Sequence, residues 1–228
     1  MATDKHVQAL LDAIAAGDRR AAEAVVDVWA STHGYMSAVT ALIEPALQAV
    51  GDQWSTPGQA YVLAHGYLGA KLAESALAKA LADRSDSALI PAGSTGTVVL
   101  GNIEDDYHSL GRRMVRIFAE ADGWAVHDLG NDVPAETFVE KAVETGARVI
   151  GVSAMMFSTA QNIRKVRAEL DHRGLRGAVQ LAVGGAVFVA RPALAADVGG
   201  DGTCPNALSA PALFHDLASR IPTSGAPR

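Results

Sequence analysis

Apolar residues before about position 86 recur every three or four places, the spacing that gathers them on one face of a helix, with no strand-like alternation. The background is rich in Ala, which favours helix most strongly of all residues. Helices are predicted over 5–16, 19–31, 36–54 and 59–83. Gly17-Asp18 ends the first and Gly34 the second. Pro45 falls inside the third, where a missing N–H and a bulky ring should kink the helix or restart it after Glu44. Ser55-Thr56-Pro57-Gly58 reads as a turn. Four helices with short connections are what an antiparallel bundle needs.

Small and polar residues over 85–93, Pro91 among them, mark a change of pattern. The boundary is set there, giving a bundle domain over 1–90 and a second domain over 91–228. In the second, strands are predicted over 97–103, 124–129, 148–155 and 179–183, with a short one near Asp201. Helices are predicted over 110–121, 134–145, 160–173, 192–198 and 205–219. Strand and helix in alternation imply a flavodoxin- or Rossmann-like parallel sheet with helices on both faces, so the chain as a whole is an α bundle followed by α/β. Such sheets bind ligands beyond the carboxyl ends of their strands. The chemistry is therefore to be sought after Ile103, Met155 and Val183.

Composition removes several classes. In 228 residues, 49% hydrophobic and 19% charged content is that of an ordinary globular protein. Lys and Arg number 19 against 25 Asp and Glu, and a net charge of -6 would repel a polyphosphate backbone, which argues against direct nucleic-acid binding. The single Cys204 cannot form an intrachain disulfide, and Met1 is followed by polar Ala2-Thr3-Asp4-Lys5 rather than a leader. With no apolar run of about 18 residues, neither a membrane span nor membrane attachment is expected, and the protein reads as cytoplasmic.

The first loop contains Asp106-x-His108-x-x-Gly111 directly before a helix. A carboxylate two residues from an imidazole can hold one ring nitrogen and leave the other as donor to a metal. Gly111 permits close backbone approach. Taken alone, the same residues also make a solvated polar loop. The third loop begins Ser153-Ala154-Met155-Met156-Phe157-Ser158-Thr159, a hydroxyl followed by an apolar shelf that could hold a flat ligand. It also reads as core methionines with a helix capped by Ser158 or Thr159. The fourth carries Gly184-Gly185, which lets a bulky group pass beside the backbone or simply makes a tight turn.

Together the three loops resemble the cobalamin-binding domain of methionine synthase, mutases and corrinoid methyl carriers, over about 96–217. Its Asp-x-His-x-x-Gly, Ser-x-Leu and Gly-Gly signatures correspond to Asp106-x-His108-x-x-Gly111, Ser153-x-Met155 and Gly184-Gly185. The resemblance implies that His108 is the lower axial ligand of cobalt in place of the nucleotide base, that Asp106 orients it, and that Ser153 hydrogen-bonds the displaced benzimidazole. Gly184 and Gly185, with the Gly200-Asp201-Gly202-Thr203 turn, would line the slot for the nucleotide tail. Met155 replaces Leu with little change of volume.

A bundle ahead of such a domain is most simply a cap over the upper face of the corrin. Trp54 and His65 lie eleven positions apart, at the end of one predicted helix and early in the next, where both could enter one interhelical cleft. They are equally a bundle anchor and a core histidine. The spacing resembles the cap of cobalamin-dependent photoreceptors, in which Trp covers the 5′-deoxyadenosyl group and light breaks the cobalt–carbon bond. By that resemblance the chain is a light sensor rather than an enzyme. It would hold adenosylcobalamin under Trp54 and form a light-dependent homo-oligomer that signals to a downstream protein partner.

Two departures touch the light state: Ala64 stands where these receptors carry Glu, and Ser55 where DNA-binding members carry a second ligating His. A light-state second ligand would have to come from His65 or His33. No helix-turn-helix segment precedes Lys5, which implies a stand-alone module. Photocobilin-like relatives of this kind also bind biliverdin, although no residue here marks such a site. The alternative function is a corrinoid methyl carrier, an enzyme component with the same bundle-plus-domain architecture but an open upper face. His127 and His215, the groups Arg112-Arg113 and Arg164-Lys165-Arg167, and Trp29 and Trp124 read as surface charge or packing.

Overall fold

The computed structural model describes residues 2–54, 63–84 and 95–221. They fall into two compact units, Met1–Ala88 and Leu89–Arg228.

The first unit is four helical rods. Two are α1 (Ala2–Ala15) and α2 (Arg19–His33). The third is built of α3 (Tyr35–Ala38), a π-helical turn (Val39–Ile43) and α4 (Glu44–Trp54). The fourth is α5 (Leu63–Arg84). Asp18 caps α2 by accepting from the Ala21 amide at 3.0 Å, and Gly34 ends it at a positive φ of 81°. The kink expected at Pro45 takes the form of the π turn, with the Glu44 amide reaching back five residues to the Val39 carbonyl. Proline has no N–H for the carbonyl one turn earlier, and the wider turn gives its ring room. Leu10, Ile14, Leu42, Ile43 and Leu77 are fully buried between the rods. Trp29 belongs to this core: it is 8% exposed, donates to Ser37 Oγ at 3.2 Å and stacks on His33. The turn expected over 55–58, and the start of the last helix at 59, lie outside the described residues.

The second unit is a five-stranded sheet of β1 (Gly96–Asn102), β2 (Trp124–Asp128), β3 (Val149–Ser153), β4 (Gln180–Gly184) and β5 (Gly202–Thr203). The strands are parallel, in the order β2-β1-β3-β4-β5. The longer helices are α6 (Ser109–Ala121), α7 (Ala135–Thr145), α9 (Ile163–His172) and α12 (Ala210–Ser219), and the short ones are α8 (Phe157–Ala160), α10 (Ala186–Ala190) and α11 (Leu194–Asp197).

Successive strand residues point to opposite faces, so each strand feeds two cores. Val99, Ile150 and Leu181 meet Phe138 of α7 and Ile163 and Leu170 of α9 on one side. Val98, Leu100, Val149 and Ala182 meet Phe214 and Leu217 of α12 on the other. A Cβ on Gly101 would lie 2.6 Å from the Phe138 ring, so only glycine seats α7 this closely.

The helix expected over 160–173 is two helices, broken at Gln161 and Asn162. Asn162 turns its side-chain amide to the Glu104 carbonyl at 3.2 Å. The run Ala186-Val187-Phe188-Val189-Ala190 forms an additional short helix, entered through Gly185 at φ 112°. The short strand near Asp201 exists, but Arg167 is not solvated surface charge. It donates to Gly199 O at 2.7 Å and Asp201 Oδ2 at 2.5 Å, while Asp201 Oδ2 also accepts from the Leu181 amide, pinning β5 to β4. Among the described residues no helix is long and apolar enough to cross a membrane.

Candidate functional site

The connection from β1 runs to β2 on one side, while β3 lies on the other, so the strand order reverses between β1 and β3. That crevice is where an open parallel sheet binds its ligand. The register brings the strand ends into line there: Asn102 pairs with Ser153, Ser153 with Gly184, and Val183 with Thr203. Residues far apart in sequence thus share one edge.

Asp106 is fully buried in the loop after β1. Its Oδ1 accepts from Asn102 Nδ2 at 3.0 Å and from the His108 amide at 2.9 Å, and lies 3.3 Å from His108 Nδ1. Its Oδ2 accepts from the Met155 amide at 2.7 Å and from Thr159 Oγ1 at 3.0 Å. Burial alone would raise this carboxyl, but the donors from Met155, His108, Asn102 and Thr159 outweigh it and hold the group below the usual carboxylate range. An ionised oxygen can only accept, so in this contact Nδ1 is the donor, which leaves Nε2 as the ring nitrogen not engaged by the carboxylate. The imidazole is 52% exposed, and its backbone carbonyl accepts from Asn102 Nδ2 at 3.1 Å. His108 is therefore anchored at one nitrogen and at its main chain.

The outer side of the same loop is held by Asp132. Its carboxylate accepts from the Asp105 amide at 2.8 Å and from the Tyr107 hydroxyl at 2.6 Å. Its own amide donates to Asp106 O at 3.1 Å. Asp105 and Asp132 both adopt positive φ, 68° and 56°. That backbone is uncommon outside glycine, and here hydrogen bonds on both sides compensate it.

Three partners of this loop escaped the sequence reading. Thr159, read with Ser158 as an alternative helix cap, accepts no cap hydrogen bond and faces Asp106 Oδ2, with the Met156 carbonyl as a second acceptor at 3.1 Å. Asn102 ends a buried apolar strand, a place where an amide side chain signals an internal partner. Arg112, expected on a solvated face, is 7% exposed: its Nε donates to Asn102 Oδ1 at 2.7 Å, one Nη to Asn131 Oδ1 at 3.1 Å, and the other meets Asp128. The available signal was its position seven residues before Ala119, which places both on the inward face of α6.

The other candidates surround this loop. A Cβ on Gly111 or Gly184 would meet nothing within 4 Å, so neither glycine is required by packing inside the chain. Gly185 is different, because its Cβ would stand 2.0 Å from the Ala154 carbonyl oxygen. Gly202 likewise has a packing reason, with Leu213 at 2.8 Å. Ser153 is half-buried at the end of β3, and Met155, Met156 and Phe157 expose 43%, 48% and 51% of their surface beyond it. The Arg191 guanidinium lies over the Phe157 ring. Thr203 Oγ1 is buried with no partner among the described residues. The Cys204 thiol is pushed up by burial and donates to Asn206 O.

These features fit a corrinoid. An exposed apolar shelf suits a flat macrocycle, two glycines leave room beside the backbone, and an orphaned hydroxyl offers a hydrogen bond at the strand edge. Among the described residues no three His, Cys, Asp or Glu converge on a point, so His108 suits a metal that brings its other ligands with it. In the helical unit, Trp54 is the last residue of α4 and His65 lies early in α5, half-buried. The intervening loop is outside the described residues, and with it the expected shared cleft.

The B12 binding domain family matches residues 96–212, just over half of the chain. Dimethylamine corrinoid protein 2 of Methanosarcina mazei is 41% identical over 132 residues, covering 56% of this chain and 61% of that protein. Trimethylamine corrinoid protein 1 of the same organism is 45% identical over 93 residues, 41% of this chain and 43% of that protein. The chain thus spans about 61% of the length of the first of these relatives. The solved monomethylamine corrinoid protein of Methanosarcina barkeri shares the fold, with a TM-score of 0.75 over 91% of this chain and 96% of that one at 22% identity.

These relatives overturn the light-sensor expectation, since chains about 40% identical to this one are corrinoid proteins named for methylamines. With it go the photoreceptor subtype, an adenosyl group capped by Trp54, a light-state ligand from His65 or His33, light-dependent assembly, and biliverdin. The physical reason is that any bundle with a loop of this length has a helix end and an early position of the next helix eleven residues apart, so the spacing of Trp54 and His65 does not by itself select a cap. What stands is the buried Asp106 under His108, the strand-edge alignment and the match over 96–212, and on these the chain belongs to the B12-binding domain family.

Proposed function

We propose that this protein is a corrinoid methyl carrier of a methylamine-type methyltransferase system, with cobalamin held through His108. The observation that supports this most directly is the buried Asp106 carboxylate beside Nδ1 of a half-exposed imidazole at the β1/β3 switch point. The sequence likeness to dimethylamine and trimethylamine corrinoid proteins points to the substrate class.

A bound corrinoid supplies a cobalt centre that accepts a methyl group from one partner and yields it to another. The chain's own residues do the holding. Asp106 keeps Nδ1 protonated and so directs the Nε2 lone pair outward. Asn102 and Asp132 fix the loop that carries His108. Ser153 would hydrogen-bond a displaced benzimidazole, Gly184 would leave space for the nucleotide tail, and Thr203 would offer it a hydroxyl. Met155, Met156 and Phe157 would offer the bound ring an apolar surface that excludes water. On this reading the chain is a carrier rather than an enzyme in its own right, and its partners are methyltransferases.

The test begins with the full chain loaded with hydroxocobalamin and freed of excess, then reduced with titanium(III) citrate. It is mixed with a dimethylamine methyltransferase and dimethylamine. Conversion of dimethylamine to monomethylamine, in an amount equal to the bound cobalamin, is expected. No conversion with mono-, di- or trimethylamine and their methyltransferases, by protein that holds cobalamin through His108, would overturn the reading.

A further inference from the structure

We infer that Arg112 is a positioning residue for the lower ligand, acting through Asn102 to set how strongly Asp106 pulls on the His108 ring proton. The inference rests on the reading that His108 ligates cobalt. Its basis is a continuous buried chain of polar groups from β2 to the imidazole. The Arg112 guanidinium meets Asp128 at one end, and its Nε donates to Asn102 Oδ1 at 2.7 Å. Guanidinium nitrogens can only donate, so this contact decides which end of the Asn102 amide is oxygen. Nδ2 must therefore face the other way, where it donates to Asp106 Oδ1 at 3.0 Å and to the His108 carbonyl at 3.1 Å. Asp106 Oδ1 is also the oxygen beside His108 Nδ1.

The electrostatics follow from this order. A cation drawing on the amide oxygen makes the amide hydrogens stronger donors, because linked hydrogen bonds polarise one another in a low dielectric. Asp106 Oδ1 then shares more of its electron density with Asn102 and less with the ring N–H. The imidazole becomes a weaker donor at Nε2. Asp128 opposes the effect by neutralising part of the guanidinium charge. The four residues that lead up to the imidazole, Asp128, Arg112, Asn102 and Asp106, are at most 13% exposed at the side chain, so water screens them little, while His108 at the end of the chain is half-exposed. Gly130 and Arg116 also face Asp128, the first through an amide at 3.0 Å and the second through a guanidinium at 3.7 Å.

The prediction has a sign, which separates it from mere loosening of the fold. A stronger nitrogen donor favours the more oxidised member of the Co(II)/Co(I) couple, because the reduced one does not retain an axial nitrogen. Arg112→Met should move the midpoint potential to more negative values and Asp128→Asn to more positive ones, with Arg112→Lys close to the parent. The measurement is mediated spectroelectrochemistry on the full chain loaded with hydroxocobalamin, the electrode supplying the single electron through a viologen. Electron paramagnetic resonance of the Co(II) form, with His108→Ala as control, reports whether the axial nitrogen is that of His108.

A negative shift in Arg112→Met with a positive one in Asp128→Asn establishes the relay, and the reverse pair overturns it. Shifts of the same sign, or none, with the His108 nitrogen signal intact, overturn the inference and leave the cofactor reading standing. A nitrogen signal that survives His108→Ala overturns both. If Arg112→Met does not fold by circular dichroism, Asp128→Asn decides alone: a positive shift supports the relay, and a null or negative one refutes it.

Discussion

The Met155 amide donates to Asp106 Oδ2 at 2.7 Å across 49 residues of sequence, joining the loop after β1 to the loop after β3. Through this bond the carboxylate beside His108 also ties together the two loops that flank the crevice. Asp106→Ala would leave the Met155 and His108 amides without their acceptor, and would leave Asn102 Nδ2 and Thr159 Oγ1 only the His108 and Met156 carbonyls. Leaving buried donors unpaired costs about 1–3 kcal/mol each. The apoprotein variant is therefore expected to lose several kcal/mol in urea unfolding, with cobalamin affinity falling at least about 10- to 100-fold where the protein still folds.

The same carboxylate makes stability depend on acid. Its folded value lies below the ordinary one, so its contribution is complete above the unfolded value of about 3.9 and is lost as pH falls through the lower folded value. Urea unfolding of the apoprotein at stepped pH should show stability falling below about pH 4. Asp106→Asn should be less stable at pH 7 and should lack this part of the acid loss. Parallel curves for the two proteins would refute the assignment.

His108→Ala removes a half-exposed side chain whose packing is slight, so apoprotein stability should change by less than about 1 kcal/mol. Cobalamin should bind at least about tenfold more weakly, and its spectrum should lose the signature of an axial imidazole. Equilibrium dialysis and absorption spectra read both effects. Retention of the parent spectrum would remove His108 from the ligand role.

The adjacent glycines should separate folding from binding. Gly184→Ala puts a methyl into open space and is expected to leave apoprotein stability within about 0.5 kcal/mol, while weakening cobalamin binding by its intrusion on the slot. Gly185→Ala places a methyl 2.0 Å from the Ala154 carbonyl at a φ of 112°, and should destabilise the apoprotein by about 2 kcal/mol or more. Equal stability losses for the two would contradict the geometry.

Thr159→Val keeps shape and removes one hydroxyl donor to a charged acceptor, for an expected loss of about 1.5–3 kcal/mol in unfolding. A neutral effect would show that water or another donor replaces it.

Local chemistry was enough to read the helical unit, the alternation of strand and helix, and the Asp106–His108 loop. Helical spacing, β-branched runs and a short polar motif act over a few residues and need no distant partner to be visible. The same locality misled where Trp54 and His65 were concerned, since a spacing of eleven residues says nothing about which ligand a bundle faces. Tertiary structure alone decided that Thr159 and Met155 converge on Asp106, that Arg112 is buried against Asn102 and Asp128, and that Arg167 pins β5. These partners sit on different helices, strands and loops, and parallel strands joined by crossover helices place side chains side by side that the chain separates by 10 to 53 residues. A buried charge is tolerated only where such partners meet it, and that meeting is a property of the folded sheet rather than of any segment.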